Sequence, residues 1–158
     1  MKLSFRTAVP LFAAVLAAFL CSRYCFQLIL IRGESMIPSY HPMELAILSR
    51  RTTDYRAGDV IAFHCEELHA SLVKRIAAVP GDTAVISEGT LYVNGEISPV
   101  YSEKGAFTDA GLLSEPAFLG EQQYLVIGDN LEKSRDSRDE AVGLVSESAI
   151  FGKLIGKK

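Results

Sequence analysis

The chain has 158 residues, a length that as a prior allows one domain with a modest core. Apolar residues make up 49% of the sequence and charged residues 22%, a composition that excludes a disordered chain. The 16 basic and 19 acidic residues give a net charge of −3, so no broad basic surface and no nucleic-acid partner is predicted. Three cysteines, an odd number, exclude a dense disulfide framework.

The apolar residues are concentrated in the N-terminal segment. Residues 8–20 carry no charge and follow Lys2 and Arg6, which is typical of a cleavable signal peptide or of a membrane anchor. Extended to Ser22, the run has 15 residues and is about 22 Å long at 1.5 Å per residue, less than the roughly 30 Å of a bilayer core. Arg23 and Tyr24 are expected to extend it by lying at the far interface.

Two interpretations of this segment compete. A cleaved signal peptide needs small residues at −1 and −3 just after the apolar run, but the bulky Phe19, Leu20, Arg23 and Tyr24 crowd that region. The sequence therefore favours an uncleaved transmembrane helix over residues 8–24, preceded by residues 1–7. Basic residues flank both ends, so charge alone leaves the orientation open.

From residue 25 onward the sequence changes to short β-type runs separated by turn residues. Runs such as DVIAFH and YLVIGD indicate strands, and Asn94-Gly95 after LYV predicts a hairpin. No amphipathic helical pattern of about ten residues follows. We expect a mostly β domain over residues 25–158, built as an open barrel or bent antiparallel sheets. Residues 97–121, rich in Gly and Pro, are expected to be a small excursion between strands.

Metal and phosphate sites lack their sequence signatures. None of the three histidines, His41, His64 and His69, belongs to an HExxH motif or lies near a Cys-x-x-Cys motif that would indicate a metal site. The phosphate-binding motifs GxxxxGK[ST] and GxGxxG do not occur either. The sequence therefore predicts no metal site and no cofactor.

Ser35 is a candidate nucleophile. It follows an apolar strand and shortly precedes Pro38, which cannot continue a central strand. Gly33-Glu34-Ser35-Met36-Ile37 begins like the G-x-S-x-G elbow, but Ile37 replaces the second glycine, so that elbow is excluded. A serine hydroxyl also needs a base to become a nucleophile near neutral pH.

Lys74 is the candidate base. On a strand it would share an apolar face with Leu72 and Ile76. Desolvation there favours the neutral amine, which can take a proton from a serine, as in Ser-Lys variants of the catalytic dyad. The structural alternative is an edge-strand lysine whose stem crosses apolar surface to reach water.

A third unusual segment, residues 128–138, is polar and rich in turn formers directly after the strand YLVI. One interpretation is a solvated loop. The other is a loop whose hydroxyls and Asp–Arg pair hold a nearby site in place.

Together these segments resemble, in order, the bacterial type I signal peptidases, membrane-anchored Ser-Lys proteases that remove signal peptides from exported proteins. The S-M-x-P motif occupies residues 35–38, followed by Ser39 where threonine is more usual. The other motifs are G-D-[IV]-x-x-F at 58–63, V-K-R-x-x-x-x-P-G-D at 73–82 and G-D-N-x-x-x-S-x-D-S-R at 128–138. The resemblance thus covers nearly the whole chain.

The resemblance implies that Ser35 is the nucleophile and Lys74 the general base of an acyl-enzyme mechanism. Lysine at the base position indicates a bacterial signal peptidase, since the archaeal and endoplasmic-reticulum members of the wider family have histidine there. Some members carry a serine where this chain has Gly33, so the oxyanion hole would depend on backbone N–H groups, chiefly that of Ser35.

Supporting roles are also implied by the resemblance. Ser134 would hydrogen-bond the lysine amine, and Asp136 with Arg138 would form an ion pair that braces the site. Met36 and Pro38 would belong to the substrate-binding motif.

The resemblance further implies the β fold of signal peptidases and LexA-like proteins, with one N-terminal transmembrane helix. Substrates would be signal peptides with small residues at −1 and −3, bound as an extended strand beside membrane lipid. The protein would cross the plasma membrane once, with residues 1–7 cytoplasmic and the catalytic domain outside.

Two alternatives stay open at this point. A related peptidase could mature a dedicated substrate, such as a conjugative pilin-like precursor. From a different class, the chain could be an inactive membrane-anchored β domain that binds peptides.

Overall fold

The computed structural model describes residues 9–13, 15–16, 19, 24–52 and 54–156. Residues 9–13, 15–16 and 19 are helical. Within the described residues, no helix combines the length and apolar character needed to cross a membrane. Residues 1–7 lie outside the described residues, and the predicted helix over residues 8–24 lies only partly within them.

Strands dominate the described chain from residue 26 onward, which confirms the mostly β prediction. They are β1 (Phe26–Leu30), β2 (Leu45–Ser49), β3 (Val60–Cys65), β4 (Ala70–Ala78), β5 (Thr83–Ser87), β6 (Thr90–Val93), β7 (Glu96–Ile97), β8 (Ala117–Phe118), β9 (Gln123–Ile127), β10 (Val145–Ser146) and β11 (Ile150–Ile155). Two short 3-10 helices, Gly111–Ser114 and Glu147–Ala149, lie between strands of this part.

The described strands form two antiparallel sheets, as the sequence predicts. The larger sheet has the order β1-β2-β11-β3-β4-β9-β10, and the smaller has the order β7-β6-β5-β8. Within the larger sheet β11 pairs with both β2 and β3, although both precede it by many residues. The strand that follows β10 therefore closes the middle of the sheet.

Local sequence explains the hairpin and the excursion. Asn94 and Gly95 both have positive φ, 55° and 83°, which suits the two-residue turn that joins β6 to β7. Residues 97–121 run from the end of β7 through a 3-10 helix to β8, which adds to the small sheet beside β5. The predicted excursion thus extends the small sheet and returns to β9.

Among the described residues, one face of the larger sheet is exposed where β1, β2 and β11 lie side by side. In β2, Ala46 and Leu48 are buried, whereas Leu45 and Ile47 on the opposite face are exposed. The strand register places further exposed apolar residues on that same face. We call this set the exposed apolar face, and it consists of Phe26, Leu28, Leu30, Leu45, Ile47 and Ile155. The core lies on the other side, beneath Ala46 and Leu48.

Candidate active site

Ser35 lies in the connection between β1 and β2. Ile31 and Met43 close the base of this connection, since the Ile31 N–H donates to Glu44 O and the Met43 N–H to Ile31 O, both at 2.9 Å. The Met36 side chain is buried in the core beside Ile31. The turn that carries the serine is therefore anchored on its apolar side, while Ser35 itself is half-buried.

Lys74 lies in the middle of the larger sheet. Its strand, β4, has β3 on one side and β9 on the other, and Lys74 is paired with Ile61. The residue is only 3% exposed, so the edge-strand alternative is wrong. Its Nζ donates a hydrogen bond to Ser35 Oγ at 2.7 Å. The two predicted dyad residues are thus brought together from positions far apart in the chain.

Burial changes the protonation of this lysine. Desolvation lowers the pKa of Lys74 to about 8, and the nearby Asp136 carboxylate opposes the shift. A fraction of the amine is consequently neutral near physiological pH and can accept the proton of the Ser35 hydroxyl.

A cavity of 150 Å³ adjoins the pair. Ser35, Met36 and Lys74 line it together with residues at and just after the end of β1 and residues of β4, namely Leu30, Ile31, Arg32, Ser71, Leu72 and Val73. Met36, which the resemblance places in the substrate-binding motif, is thus one of the residues that line this cavity. Pro38 lies in the same turn, is exposed and is not among these lining residues.

The backbone beside Ser35 offers a hydrogen-bond donor. Among the described residues, nothing accepts a hydrogen bond from the Ser35 N–H. Gly33 has φ +79°, a conformation that residues with a side chain rarely adopt. A Cβ built on Gly33 meets no atom within 4 Å, so the backbone and not space disfavours a serine there.

The hydrogen bond expected between Ser134 and Lys74 is not formed. Ser134 Oγ is buried and has no hydrogen-bond partner among the described residues. It packs instead against the main chain of Gly128, where an added Cβ would stand 2.2 Å from the hydroxyl oxygen. The Ser134 hydroxyl therefore packs beside Gly128 and forms no hydrogen bond with the Lys74 amine.

The ion pair expected of Asp136 and Arg138 is present. Arg138 Nε and Nη2 donate to the two carboxylate oxygens at 2.8 and 2.9 Å. Asp136 Oδ2 also accepts the Gly128 N–H at 3.1 Å, and Arg138 Nη2 donates to Leu131 O at 2.9 Å. Residues 128–138 thus form an internally paired segment, and the solvated-loop alternative is wrong.

This segment also holds the serine turn. The Asn130 N–H donates to Ser35 O at 3.0 Å, and Asn130 Nδ2 donates to Glu34 O at 3.2 Å. The predicted nucleophile, its predicted base and the polar segment therefore meet at one place, on elements distant in sequence.

Comparison with known proteins agrees with this geometry. The family described as "Signal peptidase, peptidase S26" matches residues 4–156. The chain belongs to this family. The resemblance inferred from the four motifs is thereby confirmed, and with it the predicted enzyme class, a serine endopeptidase.

Individual S26 peptidases are similar over most of their length. Signal peptidase I of Bacillus licheniformis is 32% identical over 149 residues, covering 88% of this chain and 80% of the relative. Signal peptidase IB of Staphylococcus aureus strain N315 is 31% identical over 164 residues, covering 92% and 84%. The crystal structure of a signal peptidase I from Enterococcus faecalis V583 aligns with a TM-score of 0.53 at 27% identity, covering 65% of this chain and 97% of that one.

A second buried ion pair in this S26 peptidase was missed by the sequence analysis. Arg75 Nε and Nη2 donate to the two oxygens of Asp129 at 2.8 and 2.7 Å. Arg75 Nη2 also donates to Ser39 Oγ at 3.1 Å, and Lys104 donates to Asp129 Oδ1. Arg75 and Asp129 each belong to one of the four motifs. Their opposite charges, each beside an apolar strand, were the signal from which a buried ion pair could have been predicted. Ser39 directly follows the S-M-x-P motif but had no predicted role, and nothing in the sequence pointed to Lys104.

Proposed function

We propose that this S26 peptidase is a membrane-anchored serine endopeptidase that cleaves N-terminal signal peptides from exported preproteins. Ser35 is the nucleophile and Lys74 the general base. The observation that carries this proposal is the 2.7 Å contact between a buried Lys74 Nζ and Ser35 Oγ. The relatives named signal peptidase I support the substrate class.

The mechanism is acyl transfer. Ser35 Oγ attacks the scissile carbonyl carbon while Lys74 Nζ takes the hydroxyl proton. The Ser35 N–H, which has no partner among the described residues, donates to the oxyanion. Lys74 then returns the proton to the leaving amine, and the same group activates the water that hydrolyses the acyl-enzyme.

The cavity beside the pair is large enough for a single substrate side chain and not for a large ligand. Its volume of 150 Å³ lies well below the roughly 300 Å³ at which sites for drug-sized ligands begin. The preference for small residues at −1 and −3 is carried over from the resemblance to type I signal peptidases. Residues 71–74 of the lining belong to β4 and Leu30 ends β1, which suits a substrate bound in an extended conformation beside them.

The exposed apolar face supports contact with membrane lipid. A contiguous apolar patch on a soluble surface usually marks an interaction site. Phe19 of the N-terminal segment lines the same hollow as Phe26, Leu28 and Ile155 of this face. In this proposal residues 8–24 span the plasma membrane, residues 1–7 are cytoplasmic and residues 25–158 are outside.

Processing of a purified preprotein in detergent tests the dyad. We expect Ser35→Ala and Lys74→Ala each to lower kcat/KM by about 10³-fold or more, since removal of one member of a catalytic unit disables the whole unit. Ser146→Ala, which changes an exposed hydroxyl on β10, is the matched control and should process like the wild type. Processing by both dyad variants at the wild-type rate would refute the proposal.

The range of substrates is tested in cells. Depletion of the enzyme should cause many exported proteins to accumulate with their signal peptides attached. Accumulation of one precursor alone would indicate a dedicated processing peptidase, such as one for a pilin-like protein.

A further inference from the structure

Lys104 links the 97–121 excursion to the site. Its ammonium group donates a hydrogen bond to Asp129 Oδ1, and its side chain is 23% exposed. The Asp129 side chain is fully buried and already accepts two hydrogen bonds from Arg75. The carboxylate therefore has two cationic partners, one more than charge neutrality requires.

Asp129 lies where the two halves of the site are held together. Its partner Arg75 stands on β4 directly after the base, and Arg75 Nη2 also donates to Ser39 Oγ in the turn of the nucleophile. On the other side, Asn130 follows Asp129 and donates its N–H to Ser35 O. A displacement of the Asp129 carboxylate would therefore disturb both supports of the serine turn.

Lys104 is itself held in place by Tyr101. The Lys104 N–H donates to Tyr101 O at 3.1 Å, and Lys104 Nζ lies 5.3 Å from the centroid of the Tyr101 ring. The Tyr101 hydroxyl donates to Ile127 O at 2.8 Å, at the end of β9. The ammonium group thus reaches Asp129 from a turn that is fastened to the strand preceding Asp129.

We propose that Lys104 is a positioning residue for the peptidase reaction. Together with Arg75 it fixes the Asp129 carboxylate, and through that carboxylate it keeps Ser35 aligned with Lys74. Hydrogen bonds between ionised groups are stronger than neutral ones, and small displacements of a nucleophile cost much of its rate. The inference rests on the proposed function, because it takes Ser35 and Lys74 as the reacting pair.

Three variants of the full-length enzyme test this role. Lys104→Met removes the charge, Lys104→Arg keeps it, and Lys104→Gln keeps a donor without charge should the methionine variant fail to fold. Lys153→Met is the matched control, because Lys153 is 30% exposed and pairs with Asp59 at 2.7 Å. The readouts are kcat and KM for a preprotein in detergent, and hydrogen exchange at the Asn130 amide.

We expect Lys104→Met to lower kcat about tenfold with KM changed less than about twofold, because alignment and not substrate binding is lost. Exchange at the Asn130 amide should accelerate about tenfold as its bond to Ser35 O loosens. Lys104→Arg should recover most of kcat, and Lys153→Met should change neither readout.

Three results would overturn the positioning role: unchanged exchange in Lys104→Met, a loss that lies wholly in KM, or equal loss in Lys153→Met. A wild-type enzyme that processes no preprotein would instead refute the proposed function. In that case exchange at Asn130 alone decides whether Lys104 holds the serine turn.

Discussion

At the scale of single residues, burial of Lys74 carries an energetic cost. A charged ammonium group in the centre of a sheet loses its hydration, and its hydrogen-bond partner there is the Ser35 hydroxyl. Asp136 offsets the loss only through space, since its carboxylate oxygens are engaged by Arg138 and Gly128. Burial therefore destabilises the charged form of Lys74. As a consequence, the amine becomes neutral at a pH at which the enzyme can work.

The pH dependence of the reaction follows from this pKa. Only neutral Lys74 can act as a base, so kcat/KM should rise with pH and level off above the lysine pKa of about 8. Initial rates of preprotein processing, measured between about pH 6 and 10, would show this rise, because imidazole and lysine groups titrate in that range. A limb centred near 6.5, the ordinary pKa of an imidazole, would assign the base to a histidine.

The same pKa predicts a gain in stability when the lysine is removed. The lowered folded-state pKa means that the unfolded chain binds more protons between about 8 and 10.5, so stability rises with pH across that window. At pH 7 the full penalty is present, and Lys74→Met should raise the free energy of unfolding by about 2 kcal/mol. Denaturant unfolding of the inactive variant measures this.

The control for that measurement is Lys153→Met, which breaks a partly exposed ion pair with Asp59. It should lose between about 0 and 1 kcal/mol. A Lys74→Met protein less stable than the wild type at pH 7, or equally stabilised at pH 10, would contradict the desolvation argument.

At the scale of elements, the site depends on how closely residues 128–138 approach the serine turn. Gly128 is the point of closest approach, since a Cβ there would stand 2.5 Å from Ser35 O as well as against Ser134. Its N–H is also held by Asp136. The absence of a side chain at this one position allows the segment to support the nucleophile from its carbonyl side.

Substitution of this glycine should therefore damage both packing and rate. We expect Gly128→Ala to lower the free energy of unfolding by about 1 to 3 kcal/mol through overpacking, and to lower kcat at least about tenfold by moving Ser35. Gly120→Ala is the control, because its Cβ would meet the movable end of the Gln123 side chain at 3.0 Å. If both variants behave alike, close packing at Gly128 is not what positions the turn.

Much of the element level could be predicted from the sequence, because local patterns determine it. Apolar runs separated by turn residues predicted most of the strands, and Asn94-Gly95 predicted the hairpin between β6 and β7. The pairing of β11 with β2 and β3 could not be predicted, since no local pattern records a contact across the chain. The contact of Lys104 with Asp129 and the packing of Ser134 against Gly128 could not be predicted for the same reason.

At the scale of the whole molecule, the larger sheet presents two different faces near its β1 edge. One face packs into the core, while the other is the exposed apolar face. The turn that carries Ser35 directly connects the two strands that contribute most of this face. A bilayer in contact with the face would therefore lie close to the proposed site.

This arrangement predicts an effect of charge that depends on the membrane. Leu28 and Leu45 are 67% and 66% exposed, so Leu28→Glu and Leu45→Glu should leave folding intact. In liposomes each should lower preprotein processing about tenfold, because a carboxylate resists transfer into lipid, whereas in detergent the rates should match the wild type.

Leu112→Glu, at a leucine 46% exposed in the excursion, is the control and should process normally in both media. Equal activity of all three variants in liposomes would show that the exposed apolar face makes no productive contact with the bilayer.

The position of β11 also governs when the enzyme can become active. In the larger sheet, β1 and β2 flank the serine turn and β4 carries the lysine, and β11 is the strand that joins these two halves. All of those earlier strands leave the ribosome before residues 150–155 exist, so the halves lack their shared strand until synthesis reaches it. The peptidase would thus stay inert until residues 150–155 have been made, because only then can β11 pair with β2 and β3 and unite the two halves of the site.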